Sequence, residues 1–218
     1  VKRKGVKQME IITRIKTMPE KASSLRCEKK RIGFVPTMGA LHQGHLSLMK
    51  AAREENDILV VSIFVNPIQF SPEEDYEMYP RTMEEDRKLC EQMGVNIIFC
   101  PETAEMYPEQ LLTTVNVSEI TSRLCGSFRP GHFNGVTTVV SKLFHAVTPH
   151  VAYFGQKDYQ QAIVIRKMVK DLNFDIETRI LPTVREGGVL TSRAYPASET
   201  GLALSSRNAY LNPEERVQ

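Results

Sequence analysis

The sequence predicts a doubly wound α/β fold, in which a parallel sheet lies between two layers of helices. Short apolar runs rich in β-branched residues alternate along the chain with longer helical patterns, an order that is typical of this class. The runs are almost continuously apolar, which indicates strands that are covered on both faces. With 218 residues, the chain is long enough for one substantial domain of this kind.

Five strands and four helices are predicted from these patterns. The strands are predicted at the apolar runs 31–37, 57–66, 95–100, 150–155 and 174–181. The helices are predicted at residues 44–56, 82–94, 135–147 and 158–173. The first helix carries Leu46, Met49 and Ala52 along one face. The second begins with acidic residues and stops at Gly94, as the helix dipole and C-terminal capping favour.

Composition and charge argue against several classes of protein. The 28 basic and 26 acidic residues give a net charge of +2, which disfavours a general nucleic-acid binder. No run approaches the roughly 18 consecutive apolar residues of a membrane span, and the opening VKRKGVKQ lacks the apolar stretch of a secretion signal. The four cysteines form no Cys-x-x-Cys pair, so we expect buried, reduced thiols. A cytoplasmic protein that acts on neither nucleic acids nor membranes is therefore expected.

Residues suited to ligand binding follow several of the predicted strands. They are Pro36, Thr37, Met38, Gly39, His42 and His45 after the first strand, Asn66 and Gln69 after the second, Gly155, Gln156, Lys157, Asp158 and Gln161 after the fourth, and Ser205, Ser206, Arg207 and Asn208 near the end of the chain. In doubly wound folds, ligands bind at the carboxyl ends of the strands. Imidazoles, amides, hydroxyls, a lysine and an arginine can all donate hydrogen bonds to phosphate. The pattern therefore predicts one anion-binding pocket at this edge of the sheet.

Three interpretations are open for His42 and His45 at the start of the first helix. They could be packed core histidines. They could also form a zinc pair on one helix face, although no third ligand is evident nearby. A nucleotide is favoured by the pattern His-x-Gly-His at a strand–helix junction, because Gly39 and Gly44 let the backbone approach a base or ribose while helix amides face the phosphates.

The pattern His-x-Gly-His with a later Ser-Ser-Arg-Asn is similar to the HIGH and KMSKS motifs of the nucleotidyltransferase superfamily, which includes class I aminoacyl-tRNA synthetases. The fuller set PTMGALHQGH, SIFVNPIQF, YPRTMEED, RPGHFNGV, FGQKDYQQ and LALSSRNAYL resembles the pantothenate synthetase family. This resemblance runs from about Met9 to the final PEER. Residues 1–8 are therefore expected to be an upstream extension or a cloning remnant, and residues 9–218 the nucleotide-binding catalytic domain.

The resemblance implies a Rossmann-like fold and the ATP-dependent joining of pantoate to β-alanine, a step of coenzyme A biosynthesis. In that family, pantoate's carboxylate attacks the α-phosphate, pyrophosphate leaves, and the amine of β-alanine then attacks the pantoyl adenylate and releases AMP. Such chemistry needs positioning and charge stabilisation rather than a protein nucleophile. The resemblance also implies a homodimer, and Mg²⁺ beside ATP, held mostly by phosphate oxygens and water.

Roles for individual residues follow from the matched motifs. Contacts with the reacting phosphates are assigned to His42, His45, Lys157, Ser205, Ser206 and Arg207. ATP binding is assigned to Pro36, Thr37, Met38, Gly39, His42, His45, Gly155, Lys157, Asp158, Ser205 and Arg207. Substrate binding is assigned to Gln69, Gln161, Asn66, Arg129 and His132, the last two of which lie near the pantoate or the dimer side in the family. Asp86 matches a carboxylate near the magnesium, although the helix dipole explains an acid at this position equally well.

The sequence departs from the family in two places. Residues 187–200, GGVLTSRAYPASET, form an apparent insertion, and its Ser192 and Arg193 rival the later Ser206 and Arg207 as phosphate contacts. The family continues into a smaller C-terminal domain that covers the active site, whereas this sequence stops at Gln218. Two alternatives therefore stay open: another nucleotidyltransferase of the same superfamily, and a nucleotide-binding module without catalysis.

Overall fold

A sheet of six parallel strands forms the centre of the part of the chain that the structure describes. The computed structural model describes residues 9–186, 201–212 and 214–215. The strands are β1 (Glu10–Ile12), β2 (Ile32–Thr37), β3 (Ile58–Ile63), β4 (Ile97–Phe99), β5 (Val151–Gly155) and β6 (Glu177–Leu181). Their order across the sheet is β1-β4-β3-β2-β5-β6, and each neighbouring pair is parallel. The predicted doubly wound parallel sheet is confirmed.

Helices follow the strands within the described ranges. They are α1 (Thr17–Cys27), α2 (Gln43–Glu55), α3 (Met83–Gln92), α4 (Thr103–Met106), α5 (Cys125–Phe128), α6 (His132–Val147) and α7 (Tyr159–Asp171). Short 3₁₀ turns occur at Pro67–Gln69, Ile120–Ser122, Gln156–Asp158 and Ser206–Tyr210.

The strands are buried on both faces, as their continuous apolar character predicts. Alternate residues point to opposite sides, so Phe34 and Val60 enter one apolar cluster while Val35 and Val61 enter the other. The first cluster includes residues of α1, α6 and α7, and the second includes residues of α2 and α3. The sheet therefore separates two cores, each closed by its own layer of helices.

The structure corrects the predicted elements at their ends and adds one strand and three helices. The five predicted strands and four predicted helices are present but mostly shorter, because the ends of each pattern lie in loops. Gly94 has a φ of +68° just after α3, as the predicted glycine stop requires. The sequence pattern did not predict β1, a three-residue edge strand, α1, which follows it, or the one-turn helices α4 and α5. The expectation that the cysteines are buried is wrong for two of them, since Cys27 and Cys125 are exposed.

The strand order reverses between β2 and β5, and this reversal opens a crevice. From β2 the chain adds β3 and then β4 on one side, whereas β5 and β6 lie on the other. The ladder between β2 and β5 pairs Gly33 and Phe34 with Val151 and Ala152 only, and Pro36 further along β2 has no N–H to donate. A switch point of this kind is where open α/β sheets bind ligands.

The segment that follows β6 returns to the same edge of the sheet. Arg185 and Ala203 form an antiparallel bridge, so residues on either side of 187–200 pair with each other. Ser192 and Arg193 lie outside the described residues. Among the described helices, none combines the length and the apolar character needed to cross a membrane.

Candidate active site

A pocket with a cavity volume of about 210 Å³ opens at the carboxyl ends of β2 and β5. Most of the predicted site residues line it. They are Pro36, Thr37, Met38, His42, His45, Asn66, Gln69, Arg129, His132, Lys157, Asp158, Gln161, Ser205, Ser206 and Arg207. Gly39, Asp86 and Gly155 are not among its lining residues. Topology thus brings residues from five separate stretches of the chain to one place.

His42 and His45 cap the start of α2 with their ring nitrogens. Nδ1 of His42 accepts a hydrogen bond from the backbone N–H of Gly44 (3.1 Å), and Nδ1 of His45 accepts one from the backbone N–H of His42 (3.3 Å). The two ring centroids lie 4.1 Å apart. Because Nδ1 accepts in both rings, the proton of each neutral imidazole is on Nε2. Each ring is therefore fixed as an Nε2–H donor.

Both rings are neutral near pH 7. Burial lowers the pKa of His42 to about 4, and the positive charge of Lys157 adds to this effect. Burial also lowers the pKa of His45 to about 3, with smaller contributions from His42 and Lys157. The zinc interpretation gains no support, because the described residues contain no group of three His, Cys, Asp or Glu side chains that could hold a metal ion.

Packing inside the loop explains the two glycines around these histidines. A Cβ on Gly44 would lie 2.9 Å from the His42 ring, so glycine leaves room for the cap. Gly39 has a φ of +82°, and a Cβ there would lie 2.9 Å from Oδ2 of Asp86. The structure thus gives a different reason for these glycines from the close approach to a nucleotide that the sequence suggested.

Asp86 holds the loop between β2 and α2. Asp86 is only 1% exposed. Oδ2 accepts from the backbone N–H of Ala40 (2.9 Å), Oδ1 accepts from that of Leu41 (2.7 Å), and the Thr82 hydroxyl donates to Oδ1 (3.3 Å). Burial raises the pKa of Asp86, and these hydrogen bonds oppose the shift. Because both oxygens bond within the protein, the geometry points to a loop-positioning role where the sequence predicted a carboxylate near magnesium.

Lys157 and Asp158 follow β5 directly and pair with each other. Nζ of Lys157 lies 2.9 Å from Oδ1 of Asp158, and the two side chains are 33% and 57% exposed. The two residues therefore form an ion pair at the mouth of the predicted phosphate site. A pair this exposed contributes only about 0–1 kcal/mol, so it leaves the ammonium group available to an anionic ligand.

Arg207 is held at the pocket by Asp75, a residue that no sequence motif indicated. Nε and Nη2 of Arg207 donate to Oδ2 and Oδ1 of Asp75 at 2.8 and 2.7 Å. The hydrogen bonds from Arg207 lower the pKa of Asp75. The guanidinium also lies over the rings of Phe70 and Tyr79, 5.9 and 5.4 Å from their centroids. Three N–H donors of the guanidinium remain for a ligand.

Ser205 and Ser206 fix the 3₁₀ turn that carries Arg207. Oγ of Ser205 accepts from the backbone N–H of Arg207 (3.3 Å). The Ser206 hydroxyl donates to the carbonyl of Ala40 (3.0 Å). Ser206 therefore joins this turn to the loop that Asp86 holds, and the two predicted phosphate-binding segments support each other.

Arg129 and His132 line the pocket but bond mainly to other protein groups. Nε and Nη2 of Arg129 donate to the Glu74 carboxylate at 2.5 and 2.8 Å. Nδ1 of His132 lies 2.8 Å from the Gln69 carbonyl, and its Nε2 lies 3.1 Å from Nη1 of Arg129. A carbonyl only accepts, so Nδ1 donates and Nε2 accepts. Burial lowers the pKa of His132, in keeping with this neutral form. Both residues support the Gln69 turn, and direct contact with a substrate stays a prediction.

The apolar wall of the pocket was not predicted from the sequence. This wall comprises Leu48, Phe64, Tyr79, Val136, Val139, Val140, Leu143, Tyr153 and Phe154. A signal existed in α6, where the apolar residues Val136, Val139, Val140 and Leu143 recur at helical spacing. Apolar walls that exclude water around a few polar groups are the usual form of a small-molecule site.

The polar side of the pocket is positively charged. Among the lining residues, Arg129, Lys157 and Arg207 are cations and Asp158 is the carboxylate, giving three positive charges against one negative charge. His42 and His45 add donors without adding charge. The arrangement suits an anionic ligand that presents several oxygen acceptors.

Known proteins resemble this chain over almost its whole length. The profile of the family described as Pantoate-beta-alanine ligase matches residues 10–218. A relative from Thermoanaerobacter sp. (strain X514), named Pantothenate synthetase, is 59% identical over 187 residues, which are 86% of this chain. The match spans 62% of that relative's length.

Solved structures show the same fold. The crystal structure of pantothenate synthetase from Thermus thermophilus has a TM-score of 0.85 and 48% identity, and the match covers 96% of this chain and 70% of that one. A pantoate-beta-alanine ligase from Francisella tularensis, described as complexed with beta-gamma ATP and beta-alanine, has a TM-score of 0.85 and 40% identity. That match covers 94% of this chain and 74% of the other.

Proposed function

Because the chain belongs to the pantoate–β-alanine ligase family, we propose that its pocket binds ATP and pantoate, forms pantoyl adenylate, and joins the pantoyl group to β-alanine. One observation carries this proposal. Two neutral imidazole donors, Lys157 and Arg207 converge on a single pocket at the switch point of the sheet. Such a set of donors fits a polyphosphate, and the Francisella relative is described with an ATP ligand and β-alanine.

The reaction requires no nucleophile from the protein. In the first step a pantoate carboxylate oxygen bonds to the α-phosphorus, and the bond from that phosphorus to pyrophosphate breaks. In the second step the β-alanine nitrogen bonds to the acyl carbon, AMP leaves with the electrons of the acyl C–O bond, and the nitrogen loses a proton. Both steps depend on positioning and on stabilising negative charge as it moves.

The described residues divide this work. His42 and His45 donate from Nε2 to phosphate oxygens, and their neutrality means that no proton has to be lost or gained first. Lys157 supplies a mobile positive charge for the leaving pyrophosphate. Arg207, oriented by Asp75, supplies a fixed fork of donors to the same pocket. Gln69 and Gln161 offer amides to the oxygens of pantoate.

Mg²⁺ enters the proposal only as the partner of ATP. The described residues offer no cluster of three metal-binding side chains, and both Asp86 oxygens already accept hydrogen bonds from the protein. The described residues therefore do not provide a cage for the ion. Magnesium bound to triphosphate and water fits the ordinary preferences of this ion. A homodimer and a cytoplasmic location stay predictions.

Exchange of labelled pyrophosphate into ATP tests the proposal, because it reports the first step alone. We expect exchange that depends on added pantoate, and pantothenate detected by mass spectrometry once β-alanine is present. Exchange that a phosphorylated alcohol supports and pantoate does not would indicate another nucleotidyltransferase. ATP binding without exchange for any acceptor would indicate a nucleotide-binding module.

A further inference from the structure

A chain of buried and partly buried hydrogen bonds connects the pocket to a residue outside it. The Tyr107 hydroxyl donates to Oδ1 of Asn66 at 2.8 Å. Nδ2 of Asn66 donates to the Gly135 carbonyl and to Oε1 of Gln69, both at 3.1 Å. Asn66 and Gln69 line the pocket, whereas Tyr107 and Gly135 are not among its lining residues.

The Gly135 carbonyl determines which way both amides point. A backbone carbonyl can only accept, so the Asn66 atom that faces it is Nδ2. The second N–H of Nδ2 then faces Gln69, whose Oε1 accepts it. The other end of the Gln69 amide, Nε2, lies 3.1 Å from Sδ of Met38, which also lines the pocket. Gln69 therefore presents a donor, not an acceptor, on its free side.

Glycine at position 135 makes this geometry possible. A Cβ there would lie 2.4 Å from the carbonyl oxygen of Ile68 and 2.5 Å from Cα of Gln69. Such contacts are too short, so a larger residue would push α6 away from the turn. Close approach of the two backbones is what brings the Gly135 carbonyl within reach of Asn66.

Tyr107 fixes the opposite end of the Asn66 amide. Its ring packs 6.2 Å from the Phe64 ring, centroid to centroid. Burial raises the pKa of Tyr107, so the hydroxyl keeps its proton and remains a donor. If the Asn66 amide reversed, its oxygen would face the Gly135 carbonyl, and two acceptors would oppose each other. Tyr107 and Gly135 thus favour the same orientation.

We propose that Tyr107 is a positioning residue that acts through Asn66 to make Gln69 a donor toward the pocket, so that this subsite selects a ligand oxygen. The inference rests on the proposed function, which supplies pantoate with carboxylate and hydroxyl oxygens. The sulfur of Met38 is a weak acceptor, and a pantoate oxygen replaces it at Nε2 of Gln69. Without the Tyr107 hydroxyl, Oδ1 of Asn66 loses its partner and only the Gly135 carbonyl holds the Asn66 amide. The donor at Nε2 of Gln69 is then less firmly oriented toward the pocket.

Tyr107→Phe removes the hydroxyl and leaves the ring contact in place. We expect the apparent KM for pantoate in the exchange assay to rise about tenfold, the effect of one buried hydrogen bond, and the KM for ATP to change less than about twofold. Thr138→Val is the matched control, because it removes a partly buried hydrogen bond, from the Val115 N–H to the Thr138 hydroxyl of α6, that involves neither Asn66 nor Gln69. It should lower the unfolding midpoint without separating the two KM values. An unchanged KM for pantoate in Tyr107→Phe, or an equal rise in both KM values, overturns the inference.

NMR of the uniformly ¹⁵N-labelled chain gives a test that does not depend on activity. The side-chain amide signal of Gln69 is assigned by its absence in Gln69→Glu. Tyr107→Phe should shift this signal in the unliganded protein, whereas Thr138→Val should not, and a signal that stays in place overturns the inference. Absence of pantoate-dependent exchange in the wild-type chain would count against the proposed function and leave this NMR result to decide the role of Tyr107.

Discussion

Lowering the pH from 8 to 5 should destabilise the folded chain through His45. Burial lowers the pKa of this ring to about 3 in the folded state, whereas an unfolded histidine has a pKa near 6.5. Between these values the unfolded chain binds a proton that the folded chain does not, so stability falls as the pH falls below 6.5. At pH 5, about 1.5 units below the unfolded value, the loss is about 2 kcal/mol, at about 1.36 kcal/mol per unit.

His45→Gln isolates this contribution. Glutamine at the third helical position can accept the backbone N–H of the capping residue, so the variant keeps the cap of α2 and removes the titration. Urea unfolding at pH 8 and pH 5 should show a stability loss about 2 kcal/mol smaller in the variant than in the wild type. His145→Gln, on an exposed position of α6, should leave the wild-type loss unchanged. Equal pH dependence in wild type and His45→Gln refutes the reasoning.

Three further substitutions test the charge of Lys157, the loop that Asp86 holds, and the support that Asp75 gives to Arg207. Lys157→Ala should lower pantoate-dependent exchange by about 10²–10³, as loss of one charge-stabilising donor does, whereas Lys167→Ala, exposed on α7, should not; similar losses in both would contradict the assignment. Asp86→Asn should cost about 1–3 kcal/mol of stability, because an amide N–H₂ would face a backbone N–H. If added magnesium restored the pyrophosphate exchange rate of Asp86→Asn, a metal role for Asp86 would be indicated instead. Asp75→Asn should raise the KM for ATP severalfold in the exchange assay, because Arg207 loses its charged partner; an unchanged KM would show that Arg207 needs no such support.

The fold was predictable from the sequence because its strands are buried on both faces. Continuous apolar runs such as that of β3 have few other interpretations, and alternation with helical patterns then fixes the class. The three-residue β1 was not predictable, since a run of Glu10, Ile11 and Ile12 is too short to show a period. Its pairing with β4 is a tertiary choice that local pattern does not express.

The ligand-facing half of the site was predictable for a topological reason, and the supporting half was not. His42, Gln69 and Lys157 directly follow strands, and parallel strands bring such positions to one edge of the sheet.

Their supports lie in loops whose paths the strand order does not determine. Asp75 reaches Arg207 across 132 residues, Asp86 reaches Ala40 across 46, and Tyr107 reaches Asn66 across 41. Each supporting residue meets a need that the structure shows. Asp75 binds two of the N–H donors of Arg207, Asp86 accepts from two loop N–H groups, and Tyr107 fixes the orientation of the Asn66 amide. The chemical character of the site can therefore be predicted from the residues that follow the strands. The exact positions of the functional groups depend on polar partners that are distant in the sequence. Only the folded loops bring these partners into contact.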